Sequence, residues 1–265
     1  MPSTYAHRRF GANVLEHLPG EVQAKIEPYR ELYDMGLHGP DLLFYYDTIH
    51  SNKVNRLGNA MHEQPGKAFF IPAREHIRNA ENKDAALVYV LGFICHFALD
   101  STCHPCVEQY VRSSGVSHCE IETEFDNMLM RRDGHDPLHF FTASHIHPSM
   151  EWAKVVAPFY DGITVEEAYD AMKGMITVHK LLQASNPVKR WVVLTGMKVA
   201  GKYDGMHGLV ANPKPNPNCT VSNRKLDILY GKALPLAERL ILEYIDTLDS
   251  DKPLDKAYQH TFGEN

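Results

Sequence analysis

Apolar residues recur at helical spacing along most of the chain. Phe10, Val14 and Leu18 fall on one face of a helix predicted over Thr4–Leu18, and Gly20–Tyr33 has a similar amphipathic pattern. Further helices are predicted over Lys67–Asn82, Asp84–His104, His118–Arg131, Thr164–Ala184, Pro187–Lys202 and Lys225–Leu248. No repeat and no strand-period segment is found. We therefore predict an all-α, multi-helix bundle that forms a single domain over residues 1–265.

The helix predicted over Asp84–His104 differs from the others because it is apolar nearly all round. Its apolar members are Leu87, Val88, Val90, Leu91, Phe93, Ile94, Phe97 and Leu99. A helix of this composition is expected in the core, and Pro105 is expected to end it. The Gly-, Pro- and Asn-rich stretch Asp204–Asn223 is predicted to be a loop, either a solvated connector or a cover over a cleft.

Residues of the types that bind metals recur every four positions on this central helix and on the helix after it. His96, Asp100 and His104 recur every four residues and share one helix face, and His118 and Glu122 repeat the step on the next helix. Zinc is bound by imidazole nitrogen and carboxylate oxygen. The alternative, polar groups on a solvated face, fits poorly because the helix is apolar around them and buried polar groups need partners. The pattern predicts a metal site between helices.

Other candidates have common alternative roles. His7 lies near the apolar stripe of the first helix but resembles a surface or capping histidine, and His62 resembles a surface residue. Asp41 follows Gly39-Pro40 and has the alternative role of a helix N-cap. Asp126, one turn after Glu122, is either a further carboxylate ligand or a partner that orients a histidine ligand, and we favour the partner. The chain has 16 His, of which 13 lie in the first 150 residues; His139, His145 and His147 are expected near the site mouth or on the surface.

The five cysteines offer a second type of metal site. Cys103 and Cys106 form a CxxC pair and Cys119 follows, so a structural thiolate zinc site is an alternative. A second CxxC is missing. The odd number argues against a disulfide scaffold, and we favour reduced, partly buried thiols.

Composition narrows the class of protein. The chain has 265 residues, is 44% hydrophobic and carries a formal net charge of −6, which is ordinary for a globular protein and gives no support to nucleic-acid backbone binding. No apolar run approaches a transmembrane span, and the segment that begins MPSTYAHRRFG lacks the apolar core of a secretory signal. These features predict a cytoplasmic protein with at most peripheral membrane contact.

The ordered set of motifs resembles the zinc-dependent phospholipase C family, which is related to the P1-type nucleases. The set comprises His7, the GPD of Gly39–Asp41, the MHE of Met61–Glu63, the HxxxDxxxH of His96–His104 and the HxxxE of His118–Glu122. By this resemblance one zinc is held by Asp41, His62, His96 and Asp100, and a second by His104, His118 and Glu122. Asp100 then bridges to a third ion held by His7. The family completes the third site with the mature N-terminal amine and carbonyl. Here either removal of Met1 frees the Pro2 amine to do this, or the third site is weakened or absent.

The resemblance implies metal-assisted hydrolysis of a phosphate diester by water, with two or three zinc ions and Asp41 as general base. The expected substrate is a phospholipid or related small molecule. Phe44, Tyr45 and Tyr46 are candidates for contact with a quaternary ammonium head group. The alternatives are a nuclease or nucleotidase that uses the same metals, and a non-catalytic metal-binding or lipid-binding protein. The three-ligand set His104, His118 and Glu122 favours catalysis, because structural zinc sites are closed by four protein ligands.

Overall fold

The computed structural model describes residues Thr4 to Gly263. Within them the chain forms twelve α-helices and no strand, which confirms the all-α prediction. The helices are α1 Thr4–His17, α2 Gly20–Ile26, α3 Arg30–Gly36, α4 Lys53–Glu63, α5 Lys67–Asn79, α6 Lys83–Ser114, α7 His118–Arg132, α8 Met150–Val156, α9 Val165–Leu182, α10 Pro187–Val199, α11 Tyr203–Met206 and α12 Thr220–Thr247. One domain over residues 1–265 stays a prediction.

Several segments differ from the sequence-based expectation. The segment Gly20–Tyr33 is two helices joined by a short 3₁₀ turn, because Pro28 cannot donate a backbone hydrogen bond. His62 lies at the end of α4, which the pattern did not predict. The expected loop Asp204–Asn223 contains the end of α11, two 3₁₀ turns and the start of α12.

Helix α6 is the centre of the fold, and it packs mainly against α12 and α3. The prediction that it ends at Pro105 is wrong, since the helix runs on to Ser114 and stops at Gly115, whose φ is 69°. Beyond His104 the buried side chains Cys106 and Val107 still face the core. Their packing offsets the hydrogen bond that proline removes.

The same helix is long and apolar enough to cross a membrane by composition alone, contrary to the expectation that no segment would be. An 18-residue window has a mean hydropathy of 1.6, but 89% of that window is buried inside the protein. Its apolar surface therefore belongs to the protein core.

Candidate metal centre

Eight predicted ligand residues assemble into three clusters around α6. The inner cluster is His7, His96 and Asp100; the cavity-side cluster is Asp41, His62 and His96; the outer cluster is His104, His118 and Glu122. In each cluster the ligand atoms lie within 4.8 Å of one another. Two clusters share His96, so they form one continuous polar centre inside an apolar core.

Asp100 lies at the junction of the clusters. Its Oδ1 is 3.1 Å from Nε2 of His7, and its Oδ2 is 3.2 Å from Nε2 of His96 and 3.7 Å from Nδ1 of His104. The structure thus groups Asp100 most closely with His7 and His96, whereas the resemblance places it beside Asp41 and His62. Both arrangements put the carboxylate between two sites. The Pro2 amine lies outside the described residues.

The outer cluster joins α6 to α7. One carboxylate oxygen, Glu122 Oε1, is 3.1 Å from Nε2 of His104 and 3.2 Å from Nε2 of His118. Glu122 is buried, and His118 is more accessible than the other two. This cluster provides three protein ligands and an approach from solvent, which is the pattern of a zinc site with an open position.

Hydrogen bonds at Nδ1 fix the ring orientation of three histidines, two through nearby residues and one through a distant segment. His118 Nδ1 is 2.8 Å from Oε1 of Glu108, and His62 Nδ1 is 2.7 Å from the carbonyl of Gly58. His104 Nδ1 donates to the carbonyl of Phe262, 2.8 Å away. With Nδ1 occupied in this way, Nε2 of each ring is left to face the cluster.

The first helix is held in place by a carboxylate of α7. Asp126 accepts the backbone N–H groups of Tyr5 at 3.0 Å and Ala6 at 2.9 Å, directly before His7. The sequence suggested that Asp126 supports a histidine. In the structure Asp126 binds the backbone of α1 instead, and this contact holds His7 of α1 against Asp100 of α6.

Two glycines allow the chain to pass against the ligand rings. Gly39 has a φ of 47°, and a Cβ there would lie 2.7 Å from Cγ of His96. Gly263 has a φ of 130°, and a Cβ there would collide with Cβ of His104 and lie 2.7 Å from its Nδ1. Both positions combine a backbone conformation that disfavours side chains with direct contact to a ring.

The clusters are electrostatically suited to a cation. Burial would raise the pKa of the Asp100 carboxyl, but the adjacent imidazoles, that of His104 first, hold it well below its ordinary value. Glu122 is held well below its ordinary pKa by His118 and His104 against the same effect of burial. Burial lowers the pKa of His96, so its ring is neutral and offers a lone pair.

The residues present fit zinc. Glu122 Oε2 is buried without a hydrogen-bond partner among the described residues, and neither Nε2 of His96 nor Oδ2 of Asp100 makes an aligned hydrogen bond although they are 3.2 Å apart. Buried polar atoms of this kind normally have partners. Imidazole and carboxylate donors without thiolate are a common zinc ligand set.

The cysteines do not take part in these clusters. All five are free and buried, and within the described residues no cluster of possible ligands includes one. Burial raises the pKa of Cys103 and Cys106, so both are neutral thiols. The structure gives no support to the thiolate alternative.

A cavity of about 800 Å³ opens beside the cavity-side cluster, and Asp41 forms part of its wall. The rest of the wall is mostly apolar and includes Phe44, Tyr45, Phe140 and Leu181. Its volume lies within the range of sites that enclose small molecules. The cavity is therefore an apolar compartment that reaches the cavity-side cluster at Asp41.

The expected histidine-rich loop contributes one buried residue near the centre. Nε2 of His145 is 2.8 Å from Nε2 of His38, whose ring centroid is 6.5 Å from that of His7. His139 and His147 are accessible, and His139 pairs with Asp136 at 2.7 Å. His38 was not predicted as a site residue, although His38 directly precedes the GPD motif.

The fold is all-helical, and three clusters of imidazole and carboxylate groups surround one buried helix. These features are those of helical proteins that bind metal ions between their helices. Residues 6–173, more than half of the chain, match the family model of zinc-dependent phospholipase C, and the chain belongs to this family. Neither a curated protein nor a solved structure matches the chain. Helices α10 to α12 and the segment that contains Phe262 lie beyond the matched residues.

Proposed function

We propose that the protein hydrolyses the phosphodiester bond of a phospholipid in a zinc-dependent reaction of the phospholipase C type. Water would be added across the bond between phosphorus and the glycerol oxygen. The observation that carries the proposal is the position of Asp41, which is at once a member of the cavity-side cluster and part of the wall of a large apolar cavity. A phosphodiester at the cluster would thereby have an apolar compartment beside it for an acyl chain.

The eight cluster residues would hold zinc, with Asp100 between the sites. Bound zinc would supply Lewis acidity, which lowers the pKa of water and offsets the charge that develops on the phosphoryl oxygens. Two or three ions are expected from the number of clusters.

Asp41 is our candidate for the general base. Burial would raise the pKa of its carboxyl, but the contact with His62, at 3.0 Å, holds that pKa below its ordinary value. The carboxylate is therefore ionised and can accept a proton from the attacking water. Its place in the cavity wall puts it within reach of a substrate bound there.

The proposal is tested by zinc content together with hydrolysis of a phospholipid, a chromogenic phosphodiester and single-stranded DNA, each before and after chelation. We expect two or three zinc per chain and chelator-sensitive release of diacylglycerol. Hydrolysis of DNA without lipid hydrolysis would favour the nuclease alternative. Zinc without any turnover would favour a binding protein.

Asp100→Asn tests the role of the junction carboxylate. We expect loss of most activity and a lower zinc content, because the amide is neutral and has one oxygen in place of the two that the carboxylate offers to neighbouring sites. Asp170→Asn is the matched control, since Asp170 is exposed and pairs only with Lys173 among the contacts of the described chain. An Asp100→Asn protein with normal zinc content and rate would refute the role.

A further inference from the structure

Helix α10 exposes an apolar face that the metal centre does not use. The exposed fractions are 72% for Val188, 66% for Trp191, 54% for Val192 and 86% for Val199. These positions are separated by three, four and eleven residues from the first, so they lie on one face of the helix. On the other side Val193 packs with Ala184 and Val210 in a small cluster apart from the main core. The helix is thus attached by one face and bare on the other.

The chain segment that carries this face has side-chain charge of one sign, although Asp170 pairs with Lys173 at its start and Asp204 follows its end. From residue 171 to residue 203 the chain has no Asp or Glu, although the whole chain has 33 acidic and only 27 basic residues. The basic residues of this stretch are Lys173, Lys180, Lys189, Arg190, Lys198 and Lys202. A segment that combines exposed apolar side chains, a tryptophan and only positive charge fits an anionic lipid surface.

The apolar face is continuous with the rim of the cavity. Val192 of α10, Leu181 of α9 and Ile49 are exposed and also line the cavity whose wall includes Asp41. A bilayer in contact with α10 would therefore lie at the entrance of the apolar compartment. The cavity thus extends from this exposed surface to Asp41 of the cavity-side cluster.

We propose that α10 binds the surface of a membrane containing anionic lipid, with Trp191 inserted at the interface and the lysines facing phosphate groups. A second copy of the chain is a poorer occupant, because pairing two such faces brings like charges together. The proposal extends the proposed lipid hydrolysis but does not depend on it. Binding is measured on chelated protein, so failure of binding and failure of turnover are separate results.

The chain has only two tryptophans, which allows a direct test. In a Trp152→Phe protein Trp191 is the only tryptophan, and its emission can be excited selectively over that of the tyrosines. We expect its fluorescence to shift to the blue when phosphatidylcholine–phosphatidylglycerol vesicles are added, and to be quenched by brominated acyl chains. No shift and no sedimentation with these vesicles would overturn the proposal. A shift caused by raising the protein concentration without vesicles would also overturn it, in favour of self-association.

Two substitutions separate the apolar and the electrostatic parts. Trp191→Ser should lower the vesicle binding constant by about tenfold or more, because the apolar ring no longer leaves water. Lys189→Gln and Lys198→Gln should each reduce the preference for anionic over neutral vesicles by roughly fivefold. The matched control is Ile228→Ser on α12, at a position 61% exposed. An equal loss of vesicle binding in this control would refute the role of α10.

Discussion

Substitution of Gly263 by alanine should weaken zinc binding at the outer cluster, although residue 263 contributes no ligand atom. The new Cβ would collide with Cβ of His104 and lie 2.7 Å from its Nδ1. The neighbouring Phe262 is 2% exposed, and its ring centroid is 5.2 Å from that of Phe97. Because the aromatic packing holds Phe262, the strain falls on the hydrogen bond from His104 Nδ1 to the Phe262 carbonyl.

The expected magnitude follows from what that hydrogen bond does. It fixes the ring so that Nε2 points to Glu122, 3.1 Å away. Loss of an outer partner of a ligating histidine typically lowers metal affinity by about 10- to 100-fold, or roughly 1.4–2.7 kcal/mol. Gly263 also has a φ of 130°, which adds strain to any residue with a side chain.

The assay is zinc competition against a chromophoric chelator, with circular dichroism as a check on folding. Gly162→Ala is the matched control, since Gly162 has a φ of 69° and open space around it. The Gly162→Ala protein measures the cost of placing a side chain at a positive φ where the new Cβ meets no other atom. If Gly263→Ala and Gly162→Ala bind zinc within about twofold of each other at equal helicity, the C-terminal segment does not orient His104.

Three further predictions concern the groups around the clusters. Glu108→Gln should lower zinc affinity about tenfold, because the neutral amide is a weaker partner for His118 Nδ1; zinc competition checks it. Burial lowers the pKa of His179 to about 4, so the free energy of unfolding contributed by its neutral ring is complete above about pH 6.5 and falls as the pH drops toward 4. Between pH 7.5 and pH 5 the loss is about 2 kcal/mol, which urea unfolding of chelated His179→Gln should lack. Chelation should lower the melting temperature, because zinc stabilises only the folded clusters.

Each of these predictions has a contrary outcome. An unchanged affinity in Glu108→Gln would mean that His118 is oriented without this contact. Equal acid sensitivity of the natural and His179→Gln proteins would assign the effect to other groups, such as the buried His38 and His145, whose pKa values burial also lowers. A melting temperature that is insensitive to chelation would indicate that the clusters do not hold metal.

The ligand pattern on α6 was readable from the sequence because a helix repeats its faces at a fixed step. The same step would have revealed Glu108, which lies four residues after His104. It was missed because Pro105 was expected to end the helix. Pro105 removes one backbone hydrogen bond and restricts the residue before it. The burial of Cys106 and Val107 stabilises the helical conformation of the segment after it. Tertiary packing decided the boundary.

Support from the C-terminal segment was not readable. The carbonyl of Phe262 and the ring of His104 are separated by 158 positions in the chain, and no periodicity links them. A backbone carbonyl has no sequence signature at all. The unusual φ of Gly263 is equally invisible, since a glycine near the end of a chain is ordinary. Such contacts follow only from how α12 and the segment after it return to α6.

Helices α6 and α10 show that a buried helix and a half-exposed helix can both be rich in apolar residues. The sequence pattern predicted core packing only for α6. In α6 that prediction holds because neighbours cover every side. In α10 one face meets the body and the other does not, while the chain around it excludes acidic residues. The absence of negative charge would serve no purpose in core packing, so charge and apolar pattern together favour a lipid surface where neither does alone.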